Sequence, residues 1–392
     1  MSASVIVGDH APFFPVPKAE KGSGTSLASR PTLTVDLAAV GANTRHLSRI
    51  TQGEVMAVVK ADAFGHGAAQ VARTALAHGA TRLGVTSLAE ALALRSERVY
   101  APVLSWLNPV DADWARAVRA GVELAVPSLE HLAAVATLAP GATVHLHLDC
   151  GLARDGAEPA LWPALCAAAR QAEQLGLVRV IGLMGHLSCA DVPDDASNAV
   201  GRATFDWGVR VARDAGLDPA HRHLAATAAT LNDPLSHHTT VRVGAGLFGI
   251  DPSGAGRMRP TLTLTAPVIG LRRVGAGTAV GYGQTWTAPM TTQLGLIGVG
   301  YADGLPRRAS NRAQVLVRGV RRPLVGRISM DMAVIDLGEE GARMGDVVTV
   351  FGPGAAGEPT VAEWASWADT IEHEMMTGLG PRLARGRSGG RS

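Results

Sequence analysis

The sequence predicts a (β/α)8 barrel of the TIM type followed by a mainly β C-terminal domain. Two observations carry this. Between about residue 54 and residue 248, short apolar runs alternate with Ala/Leu/Arg-rich stretches at helical spacing. After about residue 255 the helical spacing stops, and strand-like runs follow one another across glycine-rich turns. A third observation concerns chemistry: the chain holds 36 Lys and Arg residues, yet only Lys18, Lys21 and Lys60 are lysines.

Residues 1–30 mix Pro, Gly, Ser and charge without either period, and they read as a loose tail. Val5–Val7 is too short for the apolar region of a signal peptide, which points to the cytoplasm. The barrel is expected over 31–254. Its strands are read at Val55–Lys60, Leu83–Ser87, Pro102–Trp106, Val122–Val126, Thr143–Asp149, Val178–His186, His221–Ala226 and Val241–Phe248. Helical stretches such as Ala68–Ala77 and Leu161–Gln174 separate them, and an open doubly wound sheet is the rival arrangement. The β domain is expected over 255–385. Its runs are Thr261–Leu271, Thr278–Thr287, Gln293–Val299, Ala313–Val317, Pro323–Ile328, Met332–Leu337 and Val347–Phe351. A closing helix is expected over Val361–Met376, and 386–392 reads as a second tail. Thr32–Leu37 precedes the barrel and has the option of pairing with the second domain.

Composition removes several functions. A net charge of +2 with 18% charged residues gives no electrostatic footprint for nucleic acid. No apolar run reaches the ~18 residues of a membrane span. Cys150, Cys166 and Cys189 are too few for a disulfide framework and suit a reducing compartment.

Lys60 stands in Ala57-Val-Val-Lys60-Ala-Asp-Ala-Phe64-Gly-His-Gly67, at the C-terminal end of the first barrel strand. That end is where barrel enzymes assemble their sites. Arginine replaces lysine as a surface cation but forms no Schiff base. The survival of this one lysine in the body of the chain therefore marks it as a catalytic candidate; the alternative is a strand-end lysine reaching to solvent. Further motifs follow in order: Leu148-Asp-Cys-Gly-Leu-Ala-Arg154-Asp-Gly156, Gly182-Leu-Met-Gly-His186, His223-Leu-Ala-Ala-Thr227, and Val241-Arg242-Val-Gly244-Ala245. The second domain adds Gly281-Tyr282-Gly-Gln-Thr285, Gly300-Tyr301-Ala-Asp-Gly304 and Val325-Gly326-Arg327-Ile-Ser-Met330-Asp331. Across residues 31–385 this series resembles the alanine racemase family.

The resemblance implies pyridoxal 5′-phosphate on Lys60 and a homodimer with shared sites. Lys60 and Tyr282, the latter from the partner subunit, would exchange the Cα proton on opposite faces. Arg242 would face the pyridine nitrogen. Thr227, Gly244 and Ala245 would hold the phosphate, and His186 would pack near the ring. Arg154 would reach the cofactor's phenolic oxygen and the substrate carboxylate, which the Met330 N–H would also hold. Tyr301, Asp331, Phe64, His147 and His373 would surround the pocket. The expected activity is interconversion of L- and D-alanine. A serine or broader racemase is the alternative, and a non-catalytic pyridoxal-phosphate carrier the reading outside catalysis. A metal is not expected: His145 and His147, like His221 and His223, alternate on strands, but no third ligand has motif spacing.

Several positions depart from the family pattern. Phe64 and His373 stand where tyrosines are usual, which bears on cofactor affinity and substrate range. Ala226 replaces a common asparagine, and Ser329 a common cysteine. His147 occupies the place of a lysine that, carbamylated, steadies the arginine here numbered 154. Histidine carries no negative charge, so another group or chloride must supply it.

Overall fold

Strands buried on both faces build the first half of the molecule. A computed structural model describes residues 30–388 apart from Glu340; the expected tail over 1–30 lies outside the described residues except for Arg30. Strand β1 is Thr32–Asp36. The eight barrel strands are β2 (Glu54–Val58), β3 (Arg82–Val85), β4 (Val103–Ser105), β5 (Val122–Val126), β6 (Ala142–His147), β7 (Val178–Met184), β8 (His221–His223) and β9 (Thr240–Val243). They pair in parallel in the order β8-β7-β6-β5-β4-β3-β2-β9. The seam between β8 and β9 is closed by Thr239 N–H to Arg222 O (3.2 Å) and Arg242 N–H to Ala225 O (2.9 Å). Helices cover the outside, so these strands read as continuous apolar runs rather than alternations. All eight stand where the sequence placed them. All but β5 end one to five residues earlier than read, where the chain turns into the loops at the C-terminal ends of the strands.

The second half is antiparallel. It comprises β10 (Leu262–Val274), β11 (Ala279–Val280), β12 (Trp286–Thr287), β13 (Thr292–Ile297), β14 (Gln314–Val317), β15 (Val320–Val325), β16 (Ala333–Gly338) and β17 (Val347–Phe351). The order β13-β16-β15-β14-β17-β10, with a further β13–β10 pairing, closes six strands into a small barrel. Strand β10 shares itself between neighbours through a bulge at Val268/Gly270.

The structure corrects three expectations. The run Thr278–Thr287 is a hairpin, β11 and β12, joined through a 3-10 turn at Tyr282–Gln284. The closing helix is two: Val361–Trp367 and Glu372–Thr377. Asp369 breaks it with φ 53°, and its carboxylate takes Arg308 (2.9 Å) and Arg312 (2.9 Å). The segment read as a tail from 386 begins inside a strand, β18 (Ala384–Ser388). β18 pairs parallel with β1, which pairs antiparallel with β10 on its other side. The N-terminal strand therefore belongs to the sheet of the second domain.

Candidate active site

After β2 the backbone does something its residues do not favour. Ala61, Asp62, Ala63 and Phe64 hold φ of 52°, 51°, 53° and 54°, a left-handed turn, and Gly65 continues it at 77°. Each L-residue there costs roughly 1–2 kcal/mol. The surroundings hold it. Glu90 Oε1 accepts from Ala61 N–H (2.7 Å), and Asp62 Oδ1 accepts from Ala68 N–H (2.7 Å). The His66 ring bonds Phe64 O (2.9 Å) and Thr261 Oγ1 (2.8 Å), and Arg385 donates to Gly65 O (2.7 Å). Thr261 and Arg385 lie beyond the barrel strands in sequence, so the second half of the chain clamps the turn that begins at Lys60.

This turn forms one wall of a cavity of about 1060 Å³ at the C-terminal ends of the barrel strands. Lys60, Phe64, His147, Arg154, His186 and Arg242 all line it, as do Thr227, Gly244, Ala245 and His373. Burial lowers the Lys60 ammonium below the usual lysine range; Arg154 and Arg242 add to this, and Glu90 opposes it. The Phe64 ring packs 4.8 Å from Phe248 and 5.7 Å from the His373 ring, so two of the family departures meet at one place. Arg154 is exposed and makes no hydrogen bond to the described residues. Beside it, His147 Nδ1 lies 3.3 Å from Asp155 Oδ2, and neither buried atom has a hydrogen-bond partner.

Arg242 is buried within the barrel. One terminal nitrogen donates to His223 O (2.6 Å) and His223 Nδ1 (3.0 Å), the other to Gly185 O (2.7 Å) and His186 Nδ1 (3.0 Å). Burial lowers its pKa to about 10, so it stays charged at neutral pH. Burial, and then Arg242, push the His186 imidazole down to about 3, leaving it neutral. Thr227 opens a short helix, and its Oγ1 accepts from Gly244 N–H (3.2 Å) and Gly246 N–H (3.2 Å). This hydroxyl ties the two loops together across the cavity floor.

The remaining expected residues stand elsewhere. Tyr282, Tyr301, Met330 and Asp331 are absent from the cavity lining. The backbone at Gly281 approaches Arg327 N, and Tyr301 N–H and Ala302 N–H bond Ser329 O (3.0 Å) and Met330 O (2.9 Å). Both tyrosine turns thus rest on the 326–330 loop, forming an exposed edge of the β domain. Tyr282 is 70% exposed and Met330 52%. Among the described residues no group of three His, Cys, Asp or Glu side chains is placed to hold a metal.

The chain matches the alanine racemase N-terminal domain over residues 35–252 and the C-terminal domain over 261–386. The chain belongs to the alanine racemase family. It is 44% identical over 370 residues to the alanine racemase of Mycolicibacterium smegmatis, spanning 92% of this chain and 95% of that protein. The crystal structure of alanine racemase from D-cycloserine-producing Streptomyces lavendulae superposes with a TM-score of 0.90 at 38% identity, over 92% and 98% of the two chains. That of Bartonella henselae alanine racemase, with covalently bound pyridoxal phosphate, gives 0.84 at 25% identity, over 92% and 100%.

The racemase cofactor fits what is present. The cavity has one lysine, two arginines and the Thr227 side chain for an anionic ligand. Arg242 Nε takes no part in that residue's hydrogen bonds and leaves a donor for a ring nitrogen. Sequence reasoning missed Glu90, Asp155, His66 and Glu123, and weighed His145 only as a metal ligand. Only Glu90 had a visible cue, as the fourth residue of the capping-box pattern Ser87-Leu-Ala-Glu90.

Proposed function

We propose that this chain is a pyridoxal-phosphate-dependent isomerase that interconverts L- and D-alanine in the cytoplasm, working as a homodimer. Lys60 at the mouth of the barrel, with its depressed basicity, carries the reading. Lys60 would anchor the cofactor; Thr227, Gly244 and Ala245 would hold its phosphate, Arg242 its ring nitrogen and His186 its ring face. When bound, pyridoxal phosphate supplies the electron-withdrawing ring that makes an amino acid's Cα proton removable. Lys60 Nζ, displaced from the cofactor by the substrate amine, would remove or return that proton on one face. A lowered ammonium pKa puts more of the free amine at working pH. Arg242 cannot give up a proton to the ring, so it would hold the ring nitrogen as a hydrogen-bond donor and keep electron withdrawal moderate.

The opposite face needs a second acid/base group, and no tyrosine of the same chain lines the cavity. Tyr282, exposed on the edge of the β domain, has the chemistry and accessibility to enter a partner's cavity. Arg154 would reach the substrate carboxylate. Asp155 supplies beside His147 the negative charge that histidine lacks.

Incubation of the holoprotein with L-alanine, followed by chiral analysis, should give the racemate. Lys60→Ala should lose both this activity and the borohydride-reducible lysine adduct. A lysine adduct surviving in that variant would overturn the assignment.

A further inference from the structure

Within the barrel, Arg242 starts a file of hydrogen bonds that the reaction as described does not use. Its guanidinium lies 3.0 Å from His223 Nδ1. His223 Nε2 lies 2.9 Å from His145 Nδ1. His145 Nε2 lies 3.1 Å from Glu123 Oε2. Arg82, at the far end of the barrel, pairs with the same carboxylate. His145 and His223 are fully buried, and Arg242 is 3% exposed.

The donors fix the direction of the file. A guanidinium only donates. His223 Nδ1 must therefore present a lone pair, and its hydrogen sits on Nε2. His145 Nδ1 must accept that hydrogen, so its own sits on Nε2 and points at Glu123. The carboxylate ends the file as an acceptor, which it can do only when ionised on that oxygen. Reversing either imidazole sets two N–H groups or two lone pairs face to face in a fully buried site. Room for this was made deliberately in the fold: a Cβ on Gly182 would lie 1.9 Å from His145 Nδ1.

We infer that Glu123, acting through His145 and His223, is a positioning residue that orients the Arg242 guanidinium toward the cofactor ring. The inference rests on the reading that Arg242 faces that ring. The competing role for Glu123 is that of a counterion for Arg82 alone, and three variants separate the roles. Arg82→Met removes the ion pair and leaves the file intact. Glu123→Leu removes both and leaves His145 Nε2–H without an acceptor. Glu123→Gln keeps a carbonyl acceptor for it.

Nitrogen-15 NMR of the histidine-labelled holoprotein, with resonances assigned by His145→Gln and His223→Gln, tests the direction itself. Both imidazoles should be neutral with hydrogen on Nε2 at neutral pH. Hydrogen on Nδ1 of either, or a charged ring, would overturn the file whatever the cofactor does. Kinetics then test its purpose. Glu123→Leu should lower kcat at least tenfold with KM for alanine within twofold, and shift the visible absorbance of the bound cofactor. Glu123→Gln and Arg82→Met should stay within threefold of wild type in kcat. Equal losses in Arg82→Met and Glu123→Leu would reduce Glu123 to a counterion. If the wild-type protein binds no pyridoxal phosphate while its imidazoles have the expected hydrogens, the reading of Arg242 fails and the file stands.

Discussion

At the scale of single residues, charge is placed where the fold can neutralise it locally. Asp155 sits below the usual carboxylate pKa: burial raises it, but the His147 imidazole and the Gly156 N–H outweigh burial. The two side chains bracket the loop that presents Arg154, whose backbone N–H groups at Gly151, Leu152 and Ala153 are drawn onto the Asp149 carboxylate. Asp155→Asn should therefore loosen Arg154 and raise KM for alanine about tenfold, the ~1.4 kcal/mol of one charged contact, with kcat within threefold. Steady-state kinetics in both directions checks this; a fall in kcat at constant KM would place Asp155 elsewhere in the reaction. Lys60, Arg154, Arg242 and Gly244 were legible as a group because their motifs fall at strand ends, and all four line the cavity. Asp155 and Glu123 were not. In sequence an acid beside an arginine, or one early in a strand, reads as solvated surface charge, and only the barrel's curvature turns Glu123 toward His145.

At the scale of elements, the left-handed turn after Lys60 is the most informative piece of backbone. No residue of Ala61-Asp-Ala-Phe64 asks for positive φ, so the turn is imposed by contacts made from 195 and 320 residues away. That is why the sequence read β2 and its helix correctly but had no view of the turn between them. Likewise β18, Ala-Arg-Gly-Arg-Ser, carries no apolar alternation; its backbone pairing with β1 alone makes it a strand. Because Ala61 is exposed and uses only its N–H, Ala61→Gly should relieve strain at little cost. Net stabilisation of roughly 0.5–1 kcal/mol is expected, seen as a small rise in Tm. A lower Tm would mean that the turn stores no strain at Ala61.

The clamp on that turn has a pH limit. Burial pushes the His66 imidazole from 6.5 down to about 4, against hydrogen bonds that favour its charged form. A histidine whose folded pKa is depressed stabilises the fold fully above its unfolded pKa. That stability is lost as pH falls from about 6.5 to about 4, by about 3 kcal/mol. Denaturant melts of wild type and His66→Asn at a series of pH values should show a difference in stability that shrinks across this window. A constant difference would mean that His66 keeps the same charge on folding.

At the scale of the whole molecule, the exposed tyrosine edge lies on the β domain outside the cavity lining of the same chain. If each cavity is completed by another copy, two inactive variants should rescue each other. Mixed Lys60→Ala and Tyr282→Phe chains, dissociated and reassociated, should regain up to about a quarter of wild-type activity, since half the molecules become heterodimers with one intact site each. No regain above the parent variants would place the acid/base groups within one chain.

The position of β1 also sets an order of events during synthesis. It leaves the ribosome first, yet its neighbours β10 and β18 are translated after the barrel, and β18 only when residue 388 has been added. Until then the nascent barrel has its lysine but not the Arg385 that caps Gly65 O. Ribosome-bound chains stalled before residue 384 would thus carry an anchoring lysine on an unclamped segment. The turn that follows Lys60 therefore reaches its clamped form only after residue 385 has been made.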